Sequence, residues 1–115
     1  MVFLDDGRSG LALAFNNTMD IPNFCAIGSG SGTVTVSTSG LVHQVGSNTF
    51  SSTDVTTVKQ FTMTADFGAT AMSGIDLREF GIGAGSGTFF SAENFPAVTF
   101  DGSNELQVQV TFEVF

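Results

Sequence analysis

A chain of 115 residues provides for one domain, residues 1–115, and has material for a real core: 42% of it is hydrophobic, including 13 Phe but no Trp or Tyr. Its formal charge of −8, with only Lys59, Arg8 and Arg78 as cations, argues against nucleic acid, because phosphate binding needs clustered Lys and Arg. The same acidity argues against an anionic membrane surface, and no run approaches the roughly 20 apolar residues of a spanning helix.

The first element expected is a helix over Gly7–Asn17, where Leu11, Ala12, Ala14 and Phe15 form a short apolar stripe. Ser9 is its expected cap and Asn16-Asn17 its end. Strands and turns follow. Pro22–Gly28 is an apolar run bounded by turn residues, and Thr33–Ser37 (TVTVS) is a β-branched run after the loop Gly28–Gly32. Ser37–Asp54, rich in Ser, Thr, Gly and Asn, reads as a long excursion from the core and a candidate contact arm.

Thr57–Phe67 alternates cleanly, with Phe61, Met63, Ala65 and Phe67 on one side. Ile75–Ile82 begins with Ile75 and Leu77 in phase and continues with Phe80 and Ile82 out of it, which predicts a bulge near Arg78-Glu79. Thr88–Ser91 and Ala97–Phe100 are expected as short strands separated by Glu93-Asn94 and Pro96. Asp101-Gly102-Ser103-Asn104 carries a tight-turn signature and is expected to join Val98–Phe100 to the last strand as a hairpin. In that last strand, Glu105–Phe115, the apolar residues Leu106, Val108, Val110, Phe112 and Val114 alternate with polar ones, which places Val110 and Phe112 in the core. The expected fold is all-β: an antiparallel, jelly-roll-like sandwich with one short N-terminal helix.

Motifs for chemistry are weak. Gly28–Thr33 (GSGSGT) and Gly81–Gly87 (GIGAGSG) lack the Lys of a phosphate loop and the helix of a dinucleotide site, so both read as turns. His43, the single histidine, has no nucleophile-elbow pattern near it and reads as a polar loop residue. Cys25, the single cysteine, lies in an apolar run and reads as a buried hydrophobe. Asp101–Glu105 lacks the alternating acids of a calcium loop. Arg78 and Glu79, adjacent on a strand, point to opposite faces and so pair with other partners or mark the bulge. No catalytic residue, cofactor or metal is expected, and the chain is read as not an enzyme. Asp5 and Asp6 stand where a secretory leader would be basic, so cytoplasmic synthesis without a leader is the expectation.

The organisation resembles a family of small virion structural proteins of tailed bacteriophages. The resemblance rests on the opening Gly7-Arg8 through Leu13, and on Ala26-Ile27-Gly28-Ser29-Gly30-Ser31, similar to the family's A-[IL]-G-[ST]-G-[ST] strand-turn. It continues in Val58–Phe67, in Leu77-Arg78-Glu79-Phe80-Gly81-Ile82, similar to L-x-E-x-G-[IL], and in Phe89–Phe95 with the closing Phe100-Asp101-Gly102 and Glu105–Phe115. It implies a non-enzymatic virion component: first a capsid decoration (cement) protein on the outer capsid surface, made in the host cytoplasm. Its partner would be the major capsid protein, and it would bind as a homo-oligomer, a trimer by expectation. A tail, collar or tail-fibre adaptor is the alternative, and a carbohydrate-binding jelly roll is disfavoured by the absence of Trp and Tyr. Expected contact residues are Met1, Val2, Phe3 and Leu4 in a segment ordered on binding, and Leu41, Val42, His43, Val45 and Phe50 in the excursion.

Overall fold

The computed structural model describes residues 1–14, 22–57, 60–69, 73–85 and 87–113. The chain folds as an all-β sandwich of two antiparallel sheets with one short helix. The elements are β1 (Val2–Phe3), α1 (Asp5–Ala14), β2 (Pro22–Gly28), β3 (Gln44–Thr49), β4 (Ser52–Thr57), β5 (Gln60–Phe67), β6 (Asp76–Ala84), β7 (Phe89–Thr99) and β8 (Leu106–Glu113). A five-stranded sheet has the order β1-β7-β6-β2-β3, and a three-stranded sheet the order β4-β5-β8.

The alternating strands β5 and β8 pair along their whole length, from Gln60 opposite Glu113 to Phe67 opposite Leu106. Strict alternation in both places apolar pairs on one face: Phe61 with Phe112, Met63 with Val110, Ala65 with Val108. The other face pairs polar groups. The Thr62 and Thr111 hydroxyls meet at 3.0 Å, and the Gln107 amide donates to Asp66 at 3.0 Å. The apolar face packs against Cys25 and Ile27 of β2 and Leu77 and Ile82 of β6, closing the inner core. Phe112 is only half-buried and meets Phe3 with ring centroids 6.3 Å apart.

The helix begins at Asp5, ahead of the expected start. Acids in its first turn suit the positive end of the helix dipole, and the Val36 carbonyl accepts the Asp5 N–H at 2.7 Å. Ser9 therefore lies inside the helix rather than capping it. A side chain at Gly7 or Gly10 would collide with Phe90, at 2.5 and 2.9 Å, so these glycines let α1 lie directly on β7. The expected helix end at Asn16-Asn17 falls outside the described residues. No described helix is long and apolar enough to cross a membrane.

Three other expectations are corrected. The segment Thr33–Ser37 is not a strand. Its backbone bonds go to a turn (Thr38 N–H to the Thr35 carbonyl, 3.1 Å) and to the helix start, so β-branched residues had no ladder to join. Ser37–Asp54 is not an unstructured excursion throughout, since β3 and the start of β4 lie within it. Between them the chain crosses from one sheet to the other: Phe50 N–H donates to Asn23 of β2, and Ser51 N–H to Thr64 of β5. Last, β7 and β8 do not form a hairpin; they lie in different sheets. The Asp101 turn is present, its carboxylate accepting Ser103 N–H and Oγ at 3.0 and 2.6 Å. These bonds, the hydroxyl's first, hold the Asp101 carboxyl below the usual carboxylate range. The turn leads across the sandwich because β5 offers β8 a matching apolar face.

The two short strands expected around Pro96 are one strand, β7. Pro96 sits where the β6–β7 register shifts, between the pairs Leu77–Val98 and Glu79–Asn94, a position at which the missing N–H is tolerated. The same irregularity moves β6 out of phase. Leu77 and Phe80 both face the inner core, while Glu79 sits opposite Gly28 on the outer face.

Ile82→Ala, at a site with no exposure, should cost about 2–5 kcal/mol in urea unfolding. Gln109→Ala, on the exposed face of β8, should cost below about 0.5 kcal/mol. Phe112→Ala should fall short of the roughly 3–5 kcal/mol of a fully buried Phe. Equal midpoints for Ile82→Ala and Gln109→Ala would contradict the assignment of faces.

Candidate functional site

Glu79 is 1% exposed, yet it makes no ion pair among the described residues. Its carboxylate instead accepts three backbone N–H groups: Gly30 at 3.1 Å and His43 at 2.7 Å on Oε1, and Val42 at 2.9 Å on Oε2. Hydrogen bonds to a charged acceptor are worth about 1.5–3 kcal/mol each, and the buried charge would be costly without them. The donors come from the two ends of the loop between β2 and β3, so the carboxylate draws both ends onto the outer face of the large sheet.

The glycines of GSGSG serve this approach. A Cβ at Gly28 would lie 2.4 Å from Glu79 Oε1 and 2.5 Å from the His43 carbonyl. One at Gly30 would lie 2.7 Å from the same oxygen and 2.6 Å from Val42 Cβ. The loop is further tied at its ends. Ser29 N–H donates to the His43 carbonyl at 3.0 Å, and Ser29 Oγ meets His43 Nδ1 at 2.8 Å. Arg78 reaches the Ser29 carbonyl at 3.4 Å and Asp76 at 3.8 Å. Asn94, opposite Glu79 on β7, donates its amide N–H to the Gly32 carbonyl. Held down in this way, the loop packs Val34 and Leu41 over a second core of Leu4, Ala26, Phe89 and Ala92.

The geometry is that of a clasp. The Ser29–His43 contact is exposed, and the Glu79 carboxylate bonds the His43 main chain, not its ring, so the arrangement does not reproduce a relay in which a carboxylate orients the imidazole. Burial pushes the Cys25 thiol from 9.0 up to about 12, which keeps it protonated and unreactive at neutral pH. A raised folded-state value adds stability that is present below about pH 9 and is lost as pH rises towards 12. Among the described residues no group of three His, Cys, Asp or Glu is placed to hold a metal ion.

The expected contact residues divide. Met1, Val42 and His43 are exposed, Val42 at 67%. Val2 and Phe3 form β1 against Ala92 and Ser91 of β7, and the Met1 ammonium lies 3.6 Å from Glu93. Leu4 is fully buried. The segment Met1–Leu4 is therefore an edge strand and core residue of the folded domain, not an arm that orders on binding, because its backbone completes β7 and Leu4 fills the outer core. Val45 and Phe50 are half-buried against the inner core, and Leu41 is half-buried in the outer one. Sequence reasoning missed Val36, 47% exposed on the loop, and missed the clasp itself. The available signal was an isolated acid in an apolar strand together with glycines spaced two apart.

Two apolar clefts flank β8. One of about 260 Å³ lies between Phe3, Phe61, Phe90 and Phe112 near its end. The other, of about 290 Å³, lies between Ile27, Phe80, Phe95, Leu106 and Val108 near its start.

Glu79→Leu should leave these N–H groups without their acceptor, at about 1–3 kcal/mol for each that stays buried. The expected result is a lower urea midpoint and loss of protease resistance confined at first to the loop. A midpoint within error of wild type would contradict the clasp. Comparison with protein-family models, with curated proteins and with solved structures finds no match to this chain.

Proposed function

We propose that the protein is a non-enzymatic structural component of a tailed-phage virion, a capsid decoration protein that binds the outer shell as an oligomer and stabilises it. The observation that carries this reading is the clasp. Two of the motifs that carry the resemblance to phage virion proteins, Ala26–Ser31 and Leu77–Ile82, are joined physically, because Gly30 of the first donates its N–H to Glu79 of the second. The buried carboxylate is occupied by main-chain donors, which fits a protein whose task is to hold a shape. A rigid loop carrying exposed Val36 and Val42 fits attachment through apolar contacts, and the charge of −8 fits a protein that stays off DNA.

The test is co-sedimentation of the purified protein with capsids stripped of it, with heat-induced DNA release read in parallel. The expected result is saturable binding that raises the temperature of DNA release, at a copy number in the hundreds for each particle. Absence of binding with unchanged particle stability would refute the decoration reading, and a few copies confined to the tail would replace it with the adaptor reading.

A further inference from the structure

The small sheet ends at β8. Among the described residues no strand pairs with its outer edge, although β8 is regular over its full length against β5, with no register shift. Edges of natural sheets are guarded by Lys, Pro, bulges or brevity. From Leu106 to Phe112 β8 carries none of these. It is eight residues long and regular; its one acid is its last residue, Glu113, and Glu105 stands just before its start.

The large sheet has five strands against three, and Phe3 of its edge strand β1 meets Phe112 at the far end of β8. The ledge beside the first half of β8 is the cleft of about 290 Å³ floored by Ile27, Phe80 and Phe95. An unpaired edge with an apolar floor alongside it is the recognition surface for an extended chain: the edge bonds the backbone, and the floor takes alternate side chains.

We infer that β8 accepts an extended segment of a partner protein as a fourth strand of the small sheet. That segment has aliphatic residues at alternate positions, which enter the cleft, and Lys or Arg at its flanks, which meet Glu105 and Glu113. Charge selects a different protein over a second copy, since a second copy brings the same two acids and a charge of −8. The inference deepens the proposed function by naming the means of attachment, but it does not depend on the shell being the partner.

The probe is a synthetic peptide of four Thr-Val repeats with two lysines at each end, titrated into isotope-labelled full-length protein. The control is the same peptide with proline in place of each threonine, which removes donors from the added strand. The expected result is saturable change at the amides of Leu106–Gln109 and in the ring signals of Phe80 and Phe95, absent with the proline peptide. Gln109→Lys, an exposed substitution that guards the edge, should weaken binding by about tenfold or more without shifting the unfolding midpoint. No response at millimolar peptide, an equal response to the proline peptide, or a native dimer joined through β8 would overturn the inference. Shell binding that the peptide fails to compete would overturn β8 as the means of attachment while leaving the decoration reading intact. Peptide binding at β8 by a protein that ignores the shell would uphold it and defeat that reading.

Discussion

A buried carboxylate with main-chain donors in place of a counter-ion organises this molecule. Glu79 gathers N–H groups from Gly30, Val42 and His43, residues far from it in sequence and on opposite ends of one loop. An ion pair in its place would need a cation, and the chain has only three. Main-chain donors are fixed in number and direction, so the interaction defines the path of the backbone in a way that a flexible Lys or Arg would not. The cost of taking the charge from water is offset by these three bonds.

From that follows the layering. Without the loop, the outer face of the large sheet would expose Ala26, Phe89 and Ala92, all of which are buried. With it, Val34 and Leu41 cover them, and the loop in turn supplies the Val36 carbonyl that receives the first helix N–H. The clasp, the outer core and the placement of α1 are thus linked in sequence, each needing the one before. The inner core is independent of them, because β5 and β8 meet β2 and β6 through apolar faces that alternation alone defines.

This division explains what the sequence reveals. The alternation in Phe61–Phe67 and Leu106–Phe112 is a property of each strand, and both strands and their buried faces were legible from it. The phase change in β6 was legible too, because Leu77 and Phe80 cannot share a face on a regular strand. Partners were not: period two says which side chains are buried but not which strand lies alongside, and the turn at Asp101 suggests β7 as the neighbour of β8, which in fact pairs with β5. The β-branched run Thr33–Ser37 has strand propensity and no strand to join. The glycines at 28 and 30 looked like ordinary turn residues, because their reason is a carboxylate distant in the chain. Leu4 looked like part of an exposed arm because nothing local signals that β7 covers it.

Such a design suits the proposed decoration role, which requires a fixed surface. The most direct test of the account is amide hydrogen exchange at Gly30, Val42 and His43 in the wild-type protein, measured residue by residue. The clasp predicts protection comparable to the β2–β6 ladder at all three amides, lost together in Glu79→Leu, which removes both acceptor oxygens. Exchange at these amides as fast as at Ser31 or Gly40, or protection that survives the substitution, would contradict it.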